Sequence, residues 1–216
     1  MTMHGMTENI MAVLLLINLA LTASSRLAGC IGLVAVQGIA IGLLPLFSQE
    51  GFTPRGFFLA GFVIVLKGLF FPRLLANTIR NASVRREVEP FVGYGFSLMI
   101  GTALIVVSFW LGTRLPLPSS PAGMSLVLPG AIGTIFTGLF LIISRRKAVT
   151  QVLGYLVMEN GIAAFGLAVV SKIPLLIELG ILLDAFVAIF VMAIMIYHIS
   201  REFDHINADQ LSALKG

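Results

Sequence analysis

The segment "GYLVMENGIAAF" (Gly154–Phe165) lies in a long apolar run and places the acidic Glu159 among residues typical of a membrane helix. Around it, hydrophobic residues make up 58% of the 216-residue chain and charged residues only 11%. Soluble domains carry about 25% charged residues, so the composition predicts an integral membrane protein. The expected fold class is an all-α integral membrane protein, because runs of about 20 apolar residues fit spanning helices and not barrel strands.

Seven apolar segments of this length follow one another. We expect about seven transmembrane helices, at roughly 8–24, 27–47, 56–78, 91–113, 125–144, 148–170 and 173–198. The first helix is expected to be retained, because residues Met1 to Asn9 contain no Lys or Arg for a signal-peptide n-region. The segments form an N-terminal four-helix region at 1–124, a C-terminal three-helix region at 125–199 and a polar tail at 200–216.

The positions of Lys and Arg predict the orientation. Cytoplasmic loops of membrane proteins are enriched in these residues, and nine of the 14 fall on one side of the predicted bundle. Three lie on the other side, Lys67 lies within the membrane, and Arg73 lies toward the inner end of its helix. The N-terminus is therefore expected outside and the C-terminus in the cytoplasm. The nine on the inner side are Arg26, Arg80, Arg85, Arg86, Arg145, Arg146, Lys147, Arg201 and Lys215.

Composition also argues against several classes of function. The net charge of +4 fits basic cytoplasmic loops, and no mixture of aromatic and basic residues predicts a nucleic-acid partner. The single cysteine, Cys30, excludes an internal disulfide and a multi-cysteine iron–sulfur or zinc site within this chain. Phosphate-binding glycine loops, HExxH zinc motifs and GxSxG nucleophile motifs are absent from the sequence. We expect no catalytic centre, cofactor or metal in this chain.

Three charged residues lie near the predicted midplane. At 1.5 Å per residue, Glu159 is about 18 Å past the inner boundary near Lys147. Lys67 and Asp184 are each about 16 Å from the outer boundary. The hydrocarbon core is about 30 Å thick, so all three reach similar depth. Glu178 lies about 9 Å outward of Asp184.

A charge at the bilayer centre costs about 2.5–3.5 kcal/mol, so these groups must face the protein interior, pair, bind water or be neutral. Desolvation disfavours the charged form of both carboxyl and amino groups, and a buried Glu and Lys can therefore exchange a proton. The set indicates a proton relay. The alternative is structural: Glu159 or Asp184 pairs with Lys67, or with a partner subunit, to hold helices together. The expected relay groups are Glu159, Asp184, Lys67 and Glu178, with Gln37, Asn160 and His198 in support.

Three weaker features leave alternatives open. Pro72, five residues after Lys67, predicts a disturbed helix ladder, which fits either a wet cavity or a packing bend. His198 either exchanges protons at the cytoplasmic mouth or is an interfacial side chain. The stretches at 25–46 and 145–169 are similar, which fits either a parallel internal repeat or chance in apolar sequence.

Four stretches carry a resemblance to a known family: "YLVMENG" (155–161), "ELGILLDAFVAIFVMAI" (178–194), "LKGLFFPRLL" (66–75) and "LSALKG" (211–216). With this combination the chain resembles the E-type membrane subunit of hydrogenase-4 and formate-hydrogenlyase-type complexes over essentially its whole length. The region 125–199 is also similar to the three-helix K subunit of complex I and to its counterpart in multisubunit cation/proton antiporters.

The resemblance implies a proton-conducting role for Glu159 and a second acid at Asp184, where the family pattern has Glu; Glu178 has no secure counterpart. It implies antiporter-like and complex I-like membrane subunits as partners, together with a peripheral hydrogenase arm that holds a nickel–iron centre and iron–sulfur clusters. The expected setting is membrane lipid in a bacterial or archaeal cell (inner) membrane. The leading hypothesis is a non-catalytic subunit with part of a proton or sodium path. The alternatives are a structural spacer and a cation/proton antiporter subunit.

Overall fold

The computed structural model describes residues 3–47, 53–81, 91–115, 126–169 and 180. These residues form helices and connecting turns, with no β-strand among them, and the predicted all-α membrane class is confirmed. The elements are α1 (Met3–Ala23), α2 (Leu27–Leu43) with a 3₁₀ turn (Leu44–Phe47), α3 (Pro54–Val63), a π-helix (Ile64–Phe70), α4 (Phe71–Asn81), α5 (Tyr94–Arg114), α6 (Val127–Ser144) and α7 (Ala148–Val169).

Five helices in the described part of the chain are long and apolar enough to cross a membrane. They correspond to the first five predicted segments. Helix α7 has 22 residues and is not among these five, and its membrane crossing, the sixth predicted segment, stays a prediction. The seventh predicted segment, 173–198, and the tail lie outside the described residues. The number of spans, the orientation and the division at residue 124 stay predictions.

The third span is built from three pieces. Thr53 caps α3 by accepting a hydrogen bond from the Gly56 amide at 3.1 Å, and Pro54 occupies the first helical turn. The π-helix then follows, and it ends immediately before the turn that contains Pro72. Because proline has no amide proton and its ring crowds the preceding turn, a disturbed ladder was expected close to Pro72. The π-helix places Lys67 in the middle of the span.

Helix α7 packs most extensively against α6 and also contacts α2. Small residues permit this close approach: a Cβ atom added at Gly138 of α6 would collide with the backbone of Met158 on α7. Gly161 of α7 lies as close to α6, where an added Cβ would be 2.6 Å from the backbone nitrogen of Ile135. In lipid, helices associate through such backbone approach. The α6–α7 contact fixes the position of the turn that carries Glu159.

The connection between α6 and α7 is anchored by Arg145, which is only 1% exposed. Its Nη2 donates to the Thr22 carbonyl oxygen at 2.9 Å, and its guanidinium lies 4.7 Å from the centre of the Tyr94 ring. The amide of Phe91 also donates to the Ser144 carbonyl oxygen at 3.1 Å. These contacts join the C-terminal end of α1, the N-terminal end of α5 and the α6–α7 connection, which the sequence assigns to the cytoplasmic side.

Replacing Arg145 by lysine is expected to lower the stability of the protein by about 1–2 kcal/mol, because an ammonium cannot both reach the Thr22 carbonyl and stack flat on Tyr94. The matched control is Arg146→Lys, since Arg146 is exposed and stacks on Phe91 at 4.5 Å. Thermal unfolding of the purified protein in detergent measures both. Equal Tm values for the two variants would contradict the anchoring role.

Candidate functional site

The structure brings four of the seven predicted site residues into one buried cluster. Lys67 comes from the π-helix, Gln37 from α2, and Glu159 and Asn160 from adjacent positions on α7. Helix α2 contacts both the π-helix and α7, so the three elements meet at this cluster. The remaining predicted residues lie outside the described part of the chain, and their placement stays a prediction: Glu178, Asp184 and His198.

The charged pair at the centre of the cluster consists of Lys67 and Glu159. The Lys67 Nζ atom lies 3.4 Å from Glu159 Oε1, and the two side chains are 4% and 3% exposed. Gly38 of α2 permits this arrangement, because a Cβ atom there would lie 2.8 Å from the Cβ of Lys67 and 2.9 Å from its carbonyl oxygen. The backbone of α2 thus packs directly against the π-helix. The contact is compatible with both the relay and the structural hypothesis.

Beside the ion pair, hydrogen bonds join four polar side chains from four helices, which we call the amide chain. Asn160 Nδ2 donates to Gln37 Oε1 at 3.3 Å, and Gln37 Nε2 donates to Asn18 Oδ1 at 2.9 Å. Asn18 Nδ2 then donates to Thr134 Oγ1 at 2.9 Å. None of the four residues is more than 1% exposed. The amide chain links α7, α2, α1 and α6 within the apolar interior.

Two members of the amide chain, Asn18 and Thr134, were not predicted from the sequence. Asn18 carried a usable signal, because it is an amide inside the apolar run "LLLINLALT" at 14–22. Thr134 carried almost none, since a threonine in a spanning helix can satisfy its hydroxyl on the carbonyl four residues earlier. It does so here, donating to the Gly130 oxygen at 2.7 Å. Its second interaction becomes visible only once α1 is packed against α6.

Three oxygen atoms of the cluster accept no hydrogen bond from the described residues. They are Oε1 and Oε2 of Glu159 and Oδ1 of Asn160, and all three are buried. Nearly all buried polar atoms in proteins are paired with protein or with ordered water. We call these atoms the acceptor site. They belong to consecutive residues of α7, and each lacks a hydrogen-bond donor among the described residues.

The chemistry available to these groups is proton exchange. The carboxylate and the ammonium lie close together away from solvent, and the surrounding amides are neutral and do not titrate. The described residues include no group of three or more His, Cys, Asp or Glu side chains that could hold a metal ion. The expectation that this chain has no cofactor stays a prediction.

Comparison with known proteins places these residues in a family context. A family model for NADH-ubiquinone/plastoquinone oxidoreductase chain 4L matches residues 126–216, which include α6 and α7. The uncharacterized protein Rv0085 of Mycobacterium tuberculosis is 30% identical over 192 residues, which cover 88% of this chain and 86% of the relative. Hydrogenase-4 component E of Escherichia coli strain K12 is 27% identical over 152 residues, which cover 70% of each chain. This chain belongs to one family with Rv0085, and it is similar to hydrogenase-4 component E over 70% of its length.

Hydrogenase-4 component E of Shigella flexneri matches with the same identity and coverage, and no solved structure matches this chain. The resemblance predicted from the four sequence stretches is confirmed. Hydrogenase-4 component E and chain 4L are, by their names, components of a hydrogenase and of an oxidoreductase. These similarities support a multi-pass membrane subunit of a respiratory complex.

Proposed function

We propose that this chain is a non-catalytic membrane subunit of a nickel–iron hydrogenase complex of the hydrogenase-4 or formate-hydrogenlyase type, and that Glu159 and Lys67 carry protons near the middle of the membrane. The observation that carries the proposal is the buried ion pair, in which Nζ and Oε1 are 3.4 Å apart and the carboxylate accepts no hydrogen bond from the described residues. Among the described residues, the group that lies against this carboxylate is the Lys67 ammonium, which carries a transferable proton.

The proton step involves only these two groups. A proton passes from the Lys67 ammonium to the Glu159 carboxylate and leaves a neutral amine and a carboxylic acid. The amine then takes up a proton from one side, and the acid releases its proton toward the other, which restores the pair. Asp184 is the proposed next acceptor on the basis of its depth in the sequence, with Glu178 nearer the outer surface.

The partners proposed for this chain follow from its family. Antiporter-like and complex I-like membrane subunits would extend the proton path, and a peripheral hydrogenase arm would hold the nickel–iron centre and the iron–sulfur clusters. Electron transfer in that arm would drive proton movement through changes in the neighbouring membrane subunits. The proposed location is the inner membrane of a bacterium or the cell membrane of an archaeon.

The structural-spacer hypothesis is favoured by a separate observation, the amide chain. Its hydrogen bonds cross-link four helices inside the bundle, and buried polar groups of this kind can specify one packing arrangement. Against a purely structural role for the ion pair, an apolar pair of similar volume would hold two helices at least as well, because burying two charges is costly.

Glu159→Gln separates the two functions. Glutamine matches glutamate in size, and its oxygen can accept a hydrogen bond from the Lys67 ammonium, which offsets part of the lost ion pair. We expect enough complex to assemble to measure hydrogenase activity, with proton translocation per assembled complex reduced at least tenfold. Translocation is measured in membrane vesicles, with hydrogenase activity and subunit content assayed in parallel. The matched control is Glu8→Gln, because Glu8 Oε2 accepts a hydrogen bond from the Leu126 amide near the start of α6, outside the cluster. Normal proton translocation in Glu159→Gln would contradict the proposal.

A further inference from the structure

The hydrogen bonds of the amide chain all run in one direction, from Asn160 to Thr134. The hydroxyl of Thr134 determines this direction. Thr134 Oγ1 lies 2.7 Å from the Gly130 carbonyl oxygen and donates its single proton to it. A backbone carbonyl can only accept. The Thr134 oxygen must therefore act as an acceptor toward Asn18, whose Nδ2 lies 2.9 Å away. The hydroxyl of Thr134 thus fixes which end of the Asn18 amide faces α6.

The same requirement passes along the amide chain. Because Asn18 directs its nitrogen at Thr134, it presents its oxygen to Gln37, and Gln37 must turn its nitrogen toward Asn18. Gln37 then presents its oxygen to Asn160, which must direct its own nitrogen there. Exchanging oxygen and nitrogen at one link would oppose two donors or two acceptors. Each amide orientation is therefore determined by the one before it.

The amide chain ends at the acceptor site. With Nδ2 of Asn160 directed at Gln37, its Oδ1 faces away from Gln37, and this oxygen is buried and accepts no hydrogen bond from the described residues. Gln37 is followed by Gly38, which packs on Lys67, and Lys67 pairs with Glu159. Asn160 and Glu159 are thus both connected to α2, Asn160 through Gln37 and Glu159 through Lys67, which packs on Gly38. While Glu159 is ionised, its two oxygens and Oδ1 of Asn160 can only accept, so an arriving proton supplies a donor that these atoms lack among the described residues.

We propose that Thr134 is a positioning residue for the proton site: through Asn18 and Gln37 it holds Asn160 with its carbonyl oxygen available to accept a hydrogen bond from the proton bound there. That proton is carried either by the carboxylic acid of Glu159 or by a water beside it. The inference rests on the proposed uptake of a proton by Glu159. It assigns a role to Thr134, which lies on α6. The hydroxyl of Thr134 bonds to Asn18 and Gly130 and acts on the ion pair only through the amide chain.

The test is Thr134→Val in the assembled complex, because valine keeps the shape of threonine and removes the hydroxyl. Asn18 is then free to turn, and Gln37 and Asn160 can turn with it. The readout is the infrared carbonyl band of protonated Glu159, identified by its loss in Glu159→Gln. We expect the band to move to higher frequency, as for a carboxylic acid that loses a hydrogen-bond acceptor. We expect proton translocation to fall roughly fivefold, the equivalent of about 1 kcal/mol, and Thr134→Ser to restore both.

Two further variants keep the test decisive. Thr137→Val is the matched control, since buried Thr137 donates to the Gly133 oxygen on the same helix at 2.8 Å but is not part of the amide chain; its band should not move. If Thr134→Val fails to assemble, Gln37→Met replaces it, because methionine has a similar length and cannot receive Asn160 Nδ2. The same band shift is expected.

The outcomes for the two proposals are separate. An unchanged band in Thr134→Val and Gln37→Met would overturn the positioning role, even if Glu159→Gln abolishes proton translocation. Normal translocation in Glu159→Gln would overturn the proposed function, while the band would still report the orientation of Asn160. Absence of any carbonyl band that disappears in Glu159→Gln would overturn both, since Glu159 would then not take up a proton.

Discussion

Replacing Lys67 by methionine is expected to reduce the assembled complex sharply, and adding Glu159→Gln is expected to recover assembly without recovering proton translocation. Methionine matches the length of the lysine stem but leaves the buried Glu159 carboxylate without its counter-charge. Breaking a buried ion pair on one side costs about 3–5 kcal/mol. The second substitution removes the stranded charge and leaves two neutral side chains of suitable volume, so most of that cost should disappear.

Subunit content and proton translocation in membrane vesicles measure the two properties separately in the single and double variants. A relay requires groups that bind protons, and neither methionine nor glutamine does so near neutral pH. The structural-spacer hypothesis makes the opposite prediction, because a neutral pair that packs well should then restore assembly and translocation together. Lys67→Arg serves as the charge-retaining control, since it keeps the positive charge opposite Glu159 and should assemble.

Replacing Gly138 by alanine is expected to destabilise the subunit by about 3 kcal/mol or more, and to lower its amount in the membrane. The added methyl group would meet the main chain of Met158, which cannot turn away as a side chain can. Overpacking a well-packed interior costs about 1–3 kcal/mol when side chains can adjust. Here α6 and α7 must separate, so the cost should lie at or above the upper end of that range.

The matched control for Gly138→Ala is Gly32→Ala on α2, where an added Cβ meets no atom within 4 Å. Both variants add one methyl group to a helical glycine and gain the same helix propensity. The Tm of the detergent-solubilised complex compares them directly. If Gly138→Ala has the same Tm as Gly32→Ala, the close α6–α7 contact does not contribute to stability in the way that the packing indicates.

Helix depth was predictable from the sequence, whereas the neighbours of each residue were not. The rise per residue was enough to bring Lys67 and Glu159 to the same level, because a straight helix converts residue count into distance. The depth of a residue in the membrane does not show which helices are neighbours in the bundle. From the sequence alone, Glu159 could pair either with Lys67 or with a charged group on a partner subunit.

The residues that the sequence did not indicate are those whose role depends on a second helix. Thr134 can bond to its own helix and gives no sign of a further partner. Arg145 was assigned to a basic surface loop by its position, but the packing of α1 and α5 around it leaves it 1% exposed. The sequence predicted a disturbed hydrogen-bond ladder near Pro72 but not a π-helix. A proline indicates where the backbone hydrogen bonds of a helix are interrupted and not which hydrogen bonds replace them.

The buried polar residues of α7 have a consequence for biogenesis. Glu159 and Asn160 lie inside an otherwise apolar helix, and such groups are costly to insert into lipid before their partners are in place. Helix α6 is synthesised immediately before α7 and provides its largest contact surface. We therefore expect α7 to enter the lipid as a hairpin with α6, after α1 and α2 are already in place to receive its polar side chains.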